Sequence, residues 1–137
     1  MKVRVLADDC YRILAVMSGQ DCPVEDFLRT GEEATEASRR GLLYMLEVVS
    51  RQGLSGLPSA WTHEANKVKG IYEFRKGRLR LFYFKGAGRD IAVCTSGVLK
   101  DGPKADRPSV ERAGMLRAEY FSALQKQSIE VVNDDSE

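Results

Sequence analysis

The sequence predicts an α+β fold in which amino-terminal helices and a carboxyl-terminal helix pack on a small twisted antiparallel sheet. Three observations carry this. Between residues 70 and 95, three runs of strand-forming residues are separated by short turns containing Gly77 and Gly86-Ala87-Gly88. Residues 24–52 and 109–125 instead carry helix-forming composition, with apolar residues at helical spacing. The chain, at 137 residues and 43% hydrophobic, has the size of one domain that builds its own core.

In chain order, residues 1–6 alternate Val3 and Val5 with Lys2 and Arg4, the period of a half-buried strand. Residues 11–17 form an apolar run whose period does not choose between helix and strand. Pro23 follows Asp21, and Val24, Phe27 and Leu28 recur at helical spacing, which predicts a short helix over 24–30. A longer helix is predicted over 32–52, acidic at its start and closed by Gly53, with Leu42, Leu46 and Val49 on its core face. A loop follows, then the meander: strands at 70–75, 79–84 and 90–95. Its apolar surface needs cover, which the earlier helices supply on one face. Residues 100–108 read as a polar loop, and Ser109 as the N-cap of a final helix ending at 125. The expected domain spans 1–128, leaving 129–137 as a disordered acidic tail.

Charge is the most informative feature. Overall the chain is nearly neutral, with 21 Lys and Arg against 20 Asp and Glu. Residues 67–89 nevertheless hold eight basic residues (Lys67, Lys69, Arg75, Lys76, Arg78, Arg80, Lys85, Arg89) and one acid, Glu73, a local charge of +7 that leaves −6 elsewhere. Edge strands often carry cations as protection against aggregation. Clustered Lys and Arg are also the main source of nucleic-acid affinity, and Tyr72, Phe74, Phe82, Tyr83 and Phe84 lie among them.

Cys10, Cys22 and Cys94 match no zinc or haem spacing, and read as reduced, small apolar side chains. No signal-peptide core or membrane-length apolar run is present, so a cytoplasmic protein is expected. His63 is the sole histidine, reads as a loop or surface residue, and gives no metal pair; no phosphate-binding glycine loop occurs. No metal or cofactor is therefore expected. Arg and Lys alone suffice to hold a phosphodiester and stabilise charge on its oxygens.

Gly70-Ile71-Tyr72-Glu73-Phe74-Arg75 followed by Leu79-Arg80-Leu81-Phe82-Tyr83-Phe84 resembles the two central strands of the phage-derived branch of the RelE/HigB toxin superfamily. The Cys22-Pro23-Val24-Glu25-Asp26-Phe27-Leu28 stretch is similar to that family's opening helix, and Lys100 and Lys104 before Pro108 to its lysine-containing loop. The resemblance covers residues 23–120.

The resemblance implies a RelE-like toxin of a type II toxin–antitoxin pair, partnered by an antitoxin and acting as an endoribonuclease on mRNA in the ribosome. Such toxins activate a ribose 2′-hydroxyl against its own phosphate. By the same resemblance Arg80 stabilises the phosphate, Arg75 and Lys69 position the backbone, and Lys100 and Lys104 contact RNA; the charge of residues 67–89 adds Lys67, Lys76 and Arg78 as RNA contacts. Truncating Arg80 is expected to abolish activity and leave the fold intact. HigB-like members often carry a histidine near the end of the last strand, where this chain reads Thr95-Ser96-Gly97-Val98-Leu99. That departure keeps two alternatives open: a ParE-like inhibitor of DNA gyrase, and a phage or host regulatory module that binds RNA or protein without cutting.

Overall fold

A computed structural model describes residues 1–88, 90–100, 102 and 106–133. Those residues form β1 (Lys2–Asp8), β2 (Arg12–Val16), α1 (Pro23–Arg29), a 3-10 turn (Glu33–Thr35), α2 (Glu36–Gln52), β3 (Thr62–Asn66), β4 (Ile71–Lys76), β5 (Leu79–Lys85), β6 (Ile91–Leu99), α3 (Arg107–Gln125) and β7 (Glu130–Val132).

The α+β class holds, with a larger sheet than the expected small antiparallel one. All seven strands join in the order β3-β4-β5-β6-β2-β1-β7. Neighbours from β3 to β6 are antiparallel, as are β1 and β2, but β2 runs parallel to β6 and β7 parallel to β1. The ambiguity of residues 11–17 has a physical cause. Strand β2 lies inside the sheet with Ile13, Leu14, Ala15 and Val16 all buried, so it shows no alternation. The expected tail is also corrected: residues 130–132 pair with β1, and the Met1 ammonium donates to the Ser128 carbonyl at 3.0 Å. Residues 134–137 lie outside the described residues.

Successive strand residues face opposite sides, and both sides are covered. Tyr11, Ile13, Ala15, Phe74, Leu81, Tyr83, Ala92 and Cys94 pack with Val24 and Leu28 of α1 and Leu42, Met45, Leu46 and Val49 of α2. Val3, Leu14, Val16, Ile71, Phe82, Phe84 and Val93 pack with Val110, Ala113 and Tyr120 of α3. The molecule therefore has three layers: the earlier helices cover one face, as expected, and the carboxyl-terminal helix covers the other.

Three local corrections concern helix starts and one strand. Helix α2 begins at Glu36, four residues after the expected start, because residues 33–35 make a 3-10 turn. Helix α3 begins at Arg107 with Asp106 as its N-cap, whose carboxylate accepts from the Ser109 backbone N–H at 3.3 Å. Pro108 fits the first helical turn, where no N–H partner is required, so it does not mark a loop. Finally, β3 pairs with β4 in a segment read as loop: Thr-His-Glu-Ala-Asn offers no apolar alternation to reveal an edge strand.

Two glycines set geometry near the site. Gly77 has φ 57° in the β4–β5 turn, and a Cβ there would meet Ser38 Oγ of α2 at 2.5 Å. Gly97 on β6 lies under the Phe27 ring of α1, which a Cβ would approach to 2.3 Å.

Candidate nucleic-acid interface

The α3-side face of the sheet changes character along its length. Phe84, Val93 and Leu14 are register partners and make its apolar part. Toward the Gly77 turn the rows become polar. Across four strands the register pairs His63 with Glu73, Glu73 with Phe82 and Phe82 with Ser96; in a neighbouring row Arg75 faces Arg80, which faces Val98. Directly opposed residues in antiparallel strands share a face, with Cβ atoms about 4.5–5.5 Å apart.

Glu73 is the hub of this polar end. Its Oε2 pairs with Arg75 Nε and lies 3.6 Å from Arg80 Nε. The Glu73 side chain is 8% exposed, Arg80 15% and Arg75 36%, so the carboxylate lies beneath and Arg75 offers the more accessible of the two guanidiniums. One carboxylate for two guanidiniums leaves a positive excess within the trio. Burial, then the like charge of Arg75, lowers the pKa of Arg80, and Glu73 opposes the shift. Arg80 Nη1 donates to the carbonyls of Gly77 at 2.8 Å and Leu79 at 2.9 Å. Two buried polar atoms on this face, Arg80 Nε and Ser96 Oγ, lack a hydrogen-bond partner, an uncommon condition inside proteins.

Beside the trio, Gly77, Arg78, Arg80, Lys100 and Gly102 line an open cavity of about 270 Å³. The backbone holds it together: Lys100 N–H donates to the Arg78 carbonyl at 2.7 Å, and Arg78 Nε donates to the Lys100 carbonyl at 3.1 Å. Two bonds thus tie the β4–β5 turn to the chain leaving β6, and three cations converge.

Not every expected residue belongs here. Arg75, Arg78, Arg80 and Lys100 come together; Lys67 and Lys69 do not. They occupy the turn at the other end of β4, and six extended residues from Lys69 to Arg75 span about 20 Å. Lys69 Nζ pairs with Glu111 Oε2 of α3 at 3.2 Å, and Lys67 is exposed. Lys76 turns to the opposite face, where its side chain occupies the space a Cβ on Gly41 of α2 would need. Lys85 also lies away, with Nζ 4.9 Å from the centre of the Tyr72 ring. Lys104 and Arg89 lie outside the described residues. The described cations of the +7 segment are therefore divided among four places. Most aromatic side chains are core, as Phe74 and Tyr83 show by stacking with centroids 4.1 Å apart under the helices.

Sequence reasoning missed two members of this face. Glu73 counted only as the one acid in a basic segment, though its place two residues before Arg75 on a strand puts both on one side. His63, expected in a loop, sits on β3 beside it.

Comparison with protein-family models and with curated proteins finds no match. Among the described residues, no group of three or more His, Cys, Asp or Glu side chains is placed to hold a metal ion, and no helix is long and apolar enough to cross a membrane.

Proposed function

We propose that the chain is a RelE-like, growth-inhibiting toxin of a type II toxin–antitoxin pair, which cuts mRNA on the ribosome without a metal and is held in check by a small antitoxin. The observation that carries this reading is the opposed pair Arg75 and Arg80 over a buried carboxylate, next to the Arg78–Lys100 cavity. Guanidinium forks match phosphate oxygens and supply the positive charge that a pentacoordinate phosphorane requires. Arg75, the accessible member, is the first phosphate contact; Arg80 is the inner charge, fixed by Glu73 and two carbonyls; Arg78 and Lys100 receive the adjoining backbone. Induced expression in a bacterial host should slow growth and produce new transcript ends within translated mRNA. Arg75→Gln should remove both effects without unfolding the protein. Unchanged growth and intact transcripts on wild-type induction would sink the reading.

A second reading follows from the engagement of Arg80 by Glu73, Gly77 and Leu79, which gives that arginine a structural role with or without catalysis. The face then binds and does not cut, either on DNA gyrase or as a regulatory RNA- or protein-binding module. Growth arrest with a DNA-damage response and intact mRNA distinguishes gyrase inhibition from cleavage.

A further inference from the structure

We infer that His63 is the proton acceptor of this face, taking the proton from the ribose 2′-hydroxyl that attacks the phosphate held by the arginines. This rests on the cleavage reading above and names the group that reading leaves open. The sole histidine of the chain is on β3, directly opposite Glu73, and half-buried. Arg80 lies beyond the same carboxylate on β5, and Arg75 follows Glu73 by two residues on β4, on the same face. Arg75, two residues on from Glu73, is the diagonal same-face neighbour of His63, about 7–8 Å away between strands, within reach of one ribose and its phosphate. Base and phosphate holder therefore stand as diagonal neighbours on adjacent strands, on the same face.

The chemistry needs such a group. An arginine guanidinium stabilises a phosphorane but stays protonated and cannot accept the hydroxyl proton, whereas a neutral imidazole can. Glu73, the nearest carboxylate by register, is buried and paired with both guanidiniums, which leaves His63 as the accessible acceptor. In the step, the imidazole nitrogen takes the 2′-hydroxyl proton as the 2′-oxygen bonds to phosphorus. The bond from phosphorus to the 5′-oxygen breaks, and that oxygen takes a proton from water. The products are a 2′,3′-cyclic phosphate and a 5′-hydroxyl end, and the imidazolium returns its proton to the hydroxide left behind.

The charged groups around His63, among the described residues, include Glu73 on β4 with Arg75 and Arg80 beside it, and Lys69 with Arg107 and Glu111 of α3, which line a cavity with Ala65 and Asn66 at the far end of β3. None replaces the imidazole as an accessible base for a phosphate on Arg75.

Three measurements on the full chain with mRNA-programmed ribosomes test the assignment. His63→Gln should cut at least about 100-fold more slowly, the usual contribution of a positioned general base. The acid limb of the wild-type pH–rate profile should vanish in that variant, and free imidazole should restore cutting by His63→Ala, neither of which a merely structural histidine would show. Should both variants fail to fold, diethyl pyrocarbonate on the wild type serves instead: activity should fall in step with one modified histidine and return with hydroxylamine. An active wild type whose rate and pH profile survive in His63→Gln, or survive complete modification of His63, overturns the assignment alone. A wild type that arrests growth with all transcripts intact overturns the cleavage reading and this step with it.

Discussion

Glu73 shows how one side chain joins stability to function. It is almost fully buried, and removing its charge leaves the guanidinium of Arg80, itself 15% exposed, facing Arg75 with nothing between them. Breaking a buried ion pair from one side costs about 3–5 kcal/mol, and the exposure of Arg75 places this case toward the lower end. Glu73→Gln should therefore lose about 2–3 kcal/mol in urea denaturation, against about 1 kcal/mol or less for Arg75→Gln. Equal losses would show that the carboxylate does not support both partners. The same burial alters the expectation for Arg80: its truncation removes a structural member as well as a charge, so its effect on activity must be read beside a stability measurement. In the sequence Arg75 and Arg80 were visible as strand arginines, and their register follows from the short Lys76-Gly77-Arg78 turn. His63 was not visible, because nothing in its neighbours marks a strand.

Among the elements, the contact of α1 with β6 is the most sharply specified. Gly97 leaves the space in which the Phe27 ring settles on the sheet, and a Cβ there would meet that ring well inside van der Waals distance. Gly97→Ala should lower stability by about 1–3 kcal/mol, the usual cost of overpacking, with partial recovery when combined with Phe27→Leu. Thermal unfolding of the two single variants and the pair checks this; simple additivity would mean the ring moves aside without cost. The principal helices, the meander and its turns were legible because they are amphipathic or punctuated by glycine. The central strand β2 and the edge strands β3 and β7 were not: the first is apolar throughout, the second polar, and the third only three residues long.

For the molecule as a whole, one core holds four groups whose acidity burial suppresses. The thiols of Cys22 and Cys94 are pushed above their ordinary 9.0, and the phenols of Tyr11 and Tyr83 above their ordinary 10.0, with burial the largest cause for each. All four belong to the layer between the sheet and helices α1 and α2. Above the ordinary thiol value the unfolded chain gives up protons that the folded chain retains, so stability present below that pH is lost as pH rises, by at most about 1.4 kcal/mol per pH unit for each group. Urea midpoints should stay level from about pH 7 to 8.5 and fall beyond 9. Cys94→Ala should reduce the slope of that fall, and an unchanged slope would remove Cys94 from the account. The division of charge into a basic segment and an acidic remainder was plain in the sequence. Its spread over two ends and two faces of the sheet was not, since strand alternation and the lie of Lys76 along α2 emerge only with the register.

The parallel seam between β2 and β6 also has a history in time. It joins residues 12–15 to residues 91–94, so the middle of the sheet closes only after most of the chain has been made. During synthesis the amino-terminal hairpin must wait, with the meander growing apart from it, and pairing over so long a loop is slow. A chain released before residue 91 has the arginine-bearing strands but lacks the seam that joins them to the amino-terminal hairpin. On the proposed reading of an mRNA-cutting toxin, late closure delays completion of the arginine face until the ribosome has passed residue 94.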